Sequence, residues 1–345
     1  MKIEIKTFLE KSQKLPIIDV RTSSEYKKGH IPNAVSIPLF SDQERAIVGT
    51  KYKHENRESA YREGIHIISS KVDFYLSELE KQHFSCREIL LHCWRGGLRS
   101  EGMANLFQSV GYTVHVLEGG YKAYRKAVLQ SFEIQYDKLL IIGGMTGSGK
   151  SDVLKELGKA GEQIIDLEAI AHHKGSAFGA WGQPEQSTVE QFENDLHAAF
   201  AKLDATLPIW LEDESQLIGK VRIPKPFFLQ IRNADVYKLE LSKELRIKRL
   251  MREYASFDKE KIITSIQNIS KRLGGLAVRK TVEAVQNDDF RTAIDIVLSY
   301  YDKTYSYGLS RRKDQTIIPI KSENDDPGKT AELILTKFSS VNQDD

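Results

Sequence analysis

A chain of 345 residues and 39.3 kDa exceeds what one hydrophobic core ordinarily organises, so two domains are expected. Hydrophobic residues make up 40% and charged residues 28%, which excludes a largely disordered chain. Fifty Lys and Arg against 48 Asp and Glu leave a net charge of +2, so a nucleic-acid surface must come from local clustering.

The opening MKIEIKTFLEKSQKLP is charged throughout and lacks the apolar stretch of a signal peptide. Residues 16–20 (PIIDV) then predict a short buried strand, 22–28 a helical turn, and 35–38 a second strand. Residues 42–83 carry helical spacing with many charges, and Val72, Tyr75, Leu76 and Leu79 share one stripe. Residues 88–92 (EILLH) predict a strand, 99–109 a helix stopped by Gly111, 113–117 a strand, and 121–132 a helix after Gly119-Gly120. A boundary is expected near 133–137, which gives domains 1–132 and 133–345. The second part repeats the alternation, with strands at 138–142, 163–167, 209–212, 236–241 and 316–320. Helices are expected at 150–159, 188–203, across most of 242–305, and at 328–339, ahead of a fraying tail. Strands alternating with helices argue for parallel sheets covered on both faces. The longest apolar run, residues 139–142, is far too short for a membrane span, and two cysteines cannot build a disulfide framework. A cytoplasmic α/β protein without a membrane partner is expected.

Gly144-Met-Thr146-Gly147-Ser148-Gly149-Lys150-Ser151 satisfies G-x-x-x-x-G-K-[ST] between a strand and a helix, the context that this motif needs. Glycines allow backbone N–H groups to converge on phosphate oxygens, the helix N-terminus adds positive potential, and Lys150 neutralises the terminal phosphate. Ser151 would place its hydroxyl on Mg²⁺, with no tightly bound cofactor expected. Glu212-Asp213-Glu214 ends an apolar strand where a carboxylate orients a metal or its water. Asp166 and Glu168 end the preceding strand, where contacts to a second substrate are expected. The loop identifies a di- or triphosphate and leaves the attached group open.

His92-Cys93-Trp94-Arg95-Gly96-Gly97-Leu98-Arg99-Ser100 also links a strand to a helix. Its cysteine lies at the centre of a ring of backbone N–H groups and at a positive helix end, and both favour the thiolate. Arg95 and Arg99 are candidates for binding an oxyanion, whereas Cys86 lacks such a setting and reads as structural. C-x5-R fits a phosphatase loop and equally a sulfurtransferase loop carrying a chalcogen atom. Asp19-Val20-Arg21 with Gly29-His30-Ile31-Pro32-Asn33-Ala34 resembles the first signature of rhodanese domains, and Leu117-Glu118-Gly119-Gly120-Tyr121 the second. Asn33 stands where glycine is more usual.

A rhodanese-like parallel-sheet domain followed by a P-loop NTPase-like doubly wound domain with helical additions resembles the tRNA 2-selenouridine synthases over nearly the whole chain. The matching strings are FSDQERAIVGTKYK, HCWRGGLRS, GGMTGSGKS, DLEAIAHHKGSAFG (166–179) and WLEDESQLIG. His172 and Lys174 replace the asparagine and arginine expected in the fourth. The resemblance implies replacement of sulfur by selenium at wobble 2-thiouridine in tRNAs for Lys, Glu and Gln. S-geranylation by geranyl diphosphate would come first, then selenation by selenophosphate. The glycine loop and Lys150 would hold the diphosphate leaving group, and Cys93 would receive selenium or deliver it to C2.

Residues 242–280 hold eleven Lys or Arg against four acids, +7 within 39 residues. Arg246, Arg249 and Arg252 recur every three residues on one side of a helix, which predicts a surface for tRNA phosphates. The rival reading is a lid over the diphosphate. Tyr300, Tyr301, Tyr305 and Tyr307 are candidates for base stacking or for half-buried packing. Two other functions compete: a small-molecule kinase fused to a sulfur carrier, and a phosphatase with a regulatory nucleotide domain.

Overall fold

The computed structural model describes residues 1–176, 179–254, 258–312 and 315–341. Ala177 and Phe178 of the fourth matching string, residues 255–257 of the basic stretch, and residues 342–345 of the tail lie outside the described residues. The chain divides into two compact units, Met1–Ser131 with Glu193–Ala198, and Phe132–Phe192 with Ala199–Asp345.

The first unit runs β1 (Lys2–Ile3), α1 (Ile5–Ser12), β2 (Ile17–Asp19), α2 (Ser23–Lys28), β3 (Val35–Ser36), α3 (Asp42–His54), α4 (Arg57–Ser69), α5 (Val72–Glu80), β4 (Glu88–His92), α6 (Leu98–Ser109), β5 (Thr113–Leu117) and α7 (Gly120–Ser131). Its five strands pair in the order β1-β5-β4-β2-β3, all parallel. Ile89, Leu90 and Leu91 of β4 are fully buried, as expected for a strand covered on both faces. Capping boxes start α2 (Thr22 with Glu25) and α3 (Ser41 with Glu44), satisfying N–H groups that a helix start leaves unpaired. The stripe foreseen on α5 is present: Tyr75 and Leu79 are buried in the core with Leu76 packed beside them.

The second unit runs β6 (Leu139–Gly144), α8 (Lys150–Lys159), β7 (Gln163–Ile165), α9 (Leu167–Ala171), α10 (Val189–Phe200, whose middle groups with the first unit), β8 (Ile209–Glu212), β9 (Leu217–Ile218), β10 (Val221–Arg222), α11 (Lys225–Asn233), β11 (Asp235–Glu240), α12 (Lys243–Tyr254), α13 (Lys259–Asn268), α14 (Ser270–Leu273), α15 (Gly275–Gln286), α16 (Phe290–Ser310), β12 (Ile317–Lys321) and α17 (Pro327–Val341). A parallel sheet of order β12-β11-β6-β8-β7 puts β6 at its centre, with Ile142 opposite Glu212 and Gly144 opposite Leu239. Trp210 and Tyr237 meet edge to face at 4.9 Å in the core beneath α8 and α17. The loops after β6, β7 and β8 therefore emerge at one carboxyl edge, where sheets of this kind bind ligands. No helix among the described residues is long and apolar enough to cross a membrane.

Several elements depart from the sequence reading. The strand foreseen at 163–167 stops at Ile165, because the Asp166 side chain accepts from Ala169 N and starts α9. The pairs β1 with β5 and β9 with β10, and the helices α1 and α11, were not foreseen.

Candidate functional site

The glycine loop closes a cleft of about 600 Å³ in the second unit. Gly144, Gly147 and Gly149 hold φ of 149°, 79° and 84°, which only glycine adopts freely. Gly149 caps α8, so the first N–H groups of that helix face the loop's concavity. Lys150 Nζ donates to Gly144 O at 3.2 Å, and Gly144 N donates to the Tyr305 hydroxyl at 2.7 Å. Gly144, Thr146, Gly147, Gly149, Lys150 and Ser151 line the cleft, whereas Ser148 is buried behind the loop.

Ser151 Oγ donates to Glu168 Oε2 at 2.6 Å, so the hydroxyl and carboxylate foreseen separately form one oxygen-donor pair. Asp166 and Asp213 also line the cleft, and Asp213 is held by Arg312 at 2.7 Å with Arg232 at 3.5 Å. Glu212 does not line it. That residue is fully buried and accepts from Leu167 N at 3.0 Å. Burial, with the neighbouring acids Asp166, Glu168 and Glu214, pushes its carboxyl well above the usual range, and its bond to Leu167 N ties β8 to the start of α9. The last acid of the run, Glu214, faces the cleft instead. Burial and the Glu168 charge outweigh Lys150 and push the Glu214 carboxyl up to about 8, and it hydrogen-bonds to Glu168.

Arg246 and Arg249 correct the expectation of a phosphate-facing surface. They are 4% and 8% exposed, because carboxylates distant in sequence turn them inward. Arg246 forms a bidentate pair with Asp302 at 2.8 and 2.8 Å and donates to Thr146 O at 3.1 Å. Arg249 contacts Asp152 and Asp325, and a Cβ on Gly149 would lie 3.1 Å from its guanidinium. Arg249 lines the cleft behind the loop, close to the lid reading, whereas exposed Arg252 pairs with Asp325 outside it. The exposed cations of the stretch are Lys248, Arg252, Lys261, Lys271, Arg272, Arg279 and Lys280. Of these, Arg272 reaches the cleft. Lys155 and Arg232 also line it, and neither belongs to a motif that sequence reading could have used. Tyr300, Tyr301 and Tyr305 are partly buried in the cleft wall, and Tyr307 is exposed.

In the first unit, Cys93 follows β4 and is 3% exposed, its thiol 3.3 Å from Ser100 Oγ. The start of α7 holds the loop: Tyr121 N donates to Cys93 O at 2.8 Å, and Lys122 N to Trp94 O at 3.1 Å. Gly96 has φ of 67°, and a Cβ there would lie 2.5 Å from Leu117 O. Gly97 caps α6, so the loop and a helix N-terminus converge as the sequence implied. Arg95 is exposed and Trp94 half-buried. Arg99 is not free for an anion, since it pairs with Glu25 at 2.7 and 3.4 Å. Burial alone would raise Glu25, but the Arg99 bond and charge outweigh it and hold the carboxyl below the usual range. Beneath the loop, Asp19, Arg21 and His92 are fully buried, and Arg21 lies 3.7 Å over the Tyr121 ring. Cys86 and Cys93 are both free thiols.

Residues 137–326 match the family described as the tRNA 2-selenouridine synthase AAA domain, and residues 4–127 match the rhodanese-like domain. Proteins named tRNA 2-selenouridine synthase are similar along their length. That of Shewanella denitrificans is 33% identical, covering 88% of this chain and 91% of the relative. The Shewanella woodyi protein is 35% identical (88% and 90%), and that of Nitrosomonas europaea 31% (86% and 90%). With both loops in place and relatives matched almost from end to end, the chain belongs to the tRNA 2-selenouridine synthase family.

Proposed function

We propose that the chain replaces the sulfur of wobble 2-thiouridine by selenium, in tRNAs for Lys, Glu and Gln, in two steps. The observation that supports this best is that one family member carries both a glycine loop folded onto the start of α8 and a Cys93 loop folded onto the start of α6. In the first step the thiocarbonyl sulfur bonds to C1 of geranyl diphosphate and the C–O bond breaks. Loop amides and Lys150 stabilise the departing diphosphate, charge that grows as the bond breaks. Magnesium fits here: it takes oxygen ligands from one or two carboxylates and from substrate phosphates, and the Ser151–Glu168 pair would hold it. When bound it would supply neutralising charge to the diphosphate.

In the second step selenium of selenophosphate bonds to C2, geranyl thiolate leaves, and water cleaves the P–Se bond to release phosphate. No oxidant or reductant is consumed. Cys93 and its ring of amides hold the selenium-bearing anion for this step. With Arg246 and Arg249 internal, contacts to tRNA phosphates fall to exposed cations of α14 and α15: Lys271, Arg272, Arg279 and Lys280.

The test adds geranyl diphosphate and then selenophosphate to thiolated tRNA, with nucleoside mass spectrometry after each addition. Lys150→Ala is expected to leave 2-thiouridine unchanged. Cys93→Ala is expected to accumulate the geranylated base without selenation. Absence of the geranylated base in Cys93→Ala refutes the division of labour. ATP turnover without tRNA would favour the kinase reading instead.

A further inference from the structure

The polar cleft has an apolar annexe. A chamber of about 50 Å³ lies beside it in the same unit, walled by Leu250, Ile262, Ile266, Val285, Phe290 and Val297 of α12, α13, α15 and α16. Thr146, Ser176, Leu250 and Tyr301 line both spaces, so the chamber adjoins the cleft at the glycine loop. Leu250 marks that junction, since a Cβ on Gly147 would sit 3.0 Å from its side chain. The walls offer a ligand almost no polarity. Thr281 is fully buried, and its hydroxyl donates to Ala277 O at 2.7 Å within its own helix.

This pairing restricts the ligand. The space is several times what one water needs, yet water there would lack partners, and an apolar cavity stays dry. A ribose or purine would leave its own hydroxyls and ring nitrogens unpaired among these side chains. A hydrocarbon loses nothing there and gains for each carbon buried. Phosphate loop and apolar chamber together fit one molecule with a diphosphate head and an aliphatic tail.

We infer that this chamber is the hydrocarbon subsite: it holds the isoprenoid chain of the diphosphate bound by the glycine loop, and the packing around Ala293 and Phe290 sets the accepted chain length. The inference rests on the prenyl-transfer reading above and adds to it the residues that select the donor. Ala293 is the smallest wall side chain and is 5% exposed, so enlarging it fills the chamber from inside. Phe290 is the reverse case, and trimming it lengthens the chamber.

The experiment uses the full chain and dimethylallyl, geranyl and farnesyl diphosphates, with inorganic diphosphate as the control that has the head and no tail. Calorimetric Kd values are measured beside kcat/KM on thiolated tRNA. The native chain should bind geranyl diphosphate on the order of 100-fold more tightly than inorganic diphosphate, the gain from about four buried carbons at a factor of about three to four each. Ala293→Leu should lower kcat/KM for geranyl diphosphate at least tenfold while changing the dimethylallyl value less than twofold. Phe290→Ala should raise the farnesyl-to-geranyl ratio at least tenfold, and this arm decides if Ala293→Leu does not fold. Equal binding of geranyl and inorganic diphosphate by the native chain overturns the chamber's role, as do unchanged donor preferences in both variants. A geranyl preference that Ala293→Leu abolishes, without transfer to tRNA, leaves the subsite standing and removes the transfer reading alone.

Discussion

Replacing Arg246 by alanine separates an internal clamp from an RNA-facing surface. The substitution removes a bidentate ion pair with Asp302, whose side chain is 20% exposed, and the bond to Thr146 O in the glycine loop. It also leaves Asp302 without its guanidinium. Breaking a buried pair costs about 3–5 kcal/mol, and partial rehydration of Asp302 argues for the lower end, about 3 kcal/mol. With a urea m-value of about 3 kcal/mol/M for a unit of this size, the midpoint should fall by about 1 M. Arg252→Ala is the matched control: its side chain is 69% exposed, and an exposed pair contributes at most about 1 kcal/mol. Urea titration followed by circular dichroism reads both, and filter binding of tRNA across salt concentrations reads the alternative. An unchanged midpoint for Arg246→Ala, with the salt slope of tRNA binding reduced by about one, would refute the clamp.

Two further outcomes follow from other parts of the structure. Glu214 holds its proton up to about pH 8 in the fold and releases it near 4.5 when unfolded, so its contribution to stability falls as pH rises between those values. Glu214→Gln removes that loss. Its stability relative to the native chain should climb by about 2 kcal/mol from pH 5.5 to 8, below the limit of about 1.4 per pH unit because Glu214 is partly exposed. A pH-independent difference in urea titrations would sink this assignment. In the first unit, Gly120 has φ of 58°, and a Cβ there would lie 2.4 Å from Cys93 O. Gly120→Ala should therefore cost on the order of 3 kcal/mol, whereas Gly102→Ala, inside α6 with nothing within 4 Å, should stabilise by about 0.5–1 kcal/mol. Equal melting temperatures for the two variants would contradict the geometry.

Both loops were legible because each is a run of adjacent residues whose spacing alone fixes a strand, a glycine turn and a helix start. Strands β4, β5 and β8 and helix α8 fell where apolar runs and flanking glycines placed them. What escaped depends on partners far along the chain. The spacing of Arg246, Arg249 and Arg252 predicts a shared side but not what it meets, and Asp302 and Asp325 lie more than fifty residues away. The same holds for Glu212 and Glu214: three consecutive acids give no sign of which enters the core and which faces the cleft. Helix α11 was hidden by its prolines, which read as breakers but occupy its N-cap and first turn, where proline is tolerated. β1 and β9 are two residues long, too short for any periodicity to register.

The Cys93 loop is suspended from α7: amides of that helix grip two of its carbonyls, and Gly96 and Gly120 approach too closely for any larger residue. Those anchors are internal to the unit, so the loop takes its shape when the chain folds, and under the function proposed above an arriving anion would carry no ordering cost.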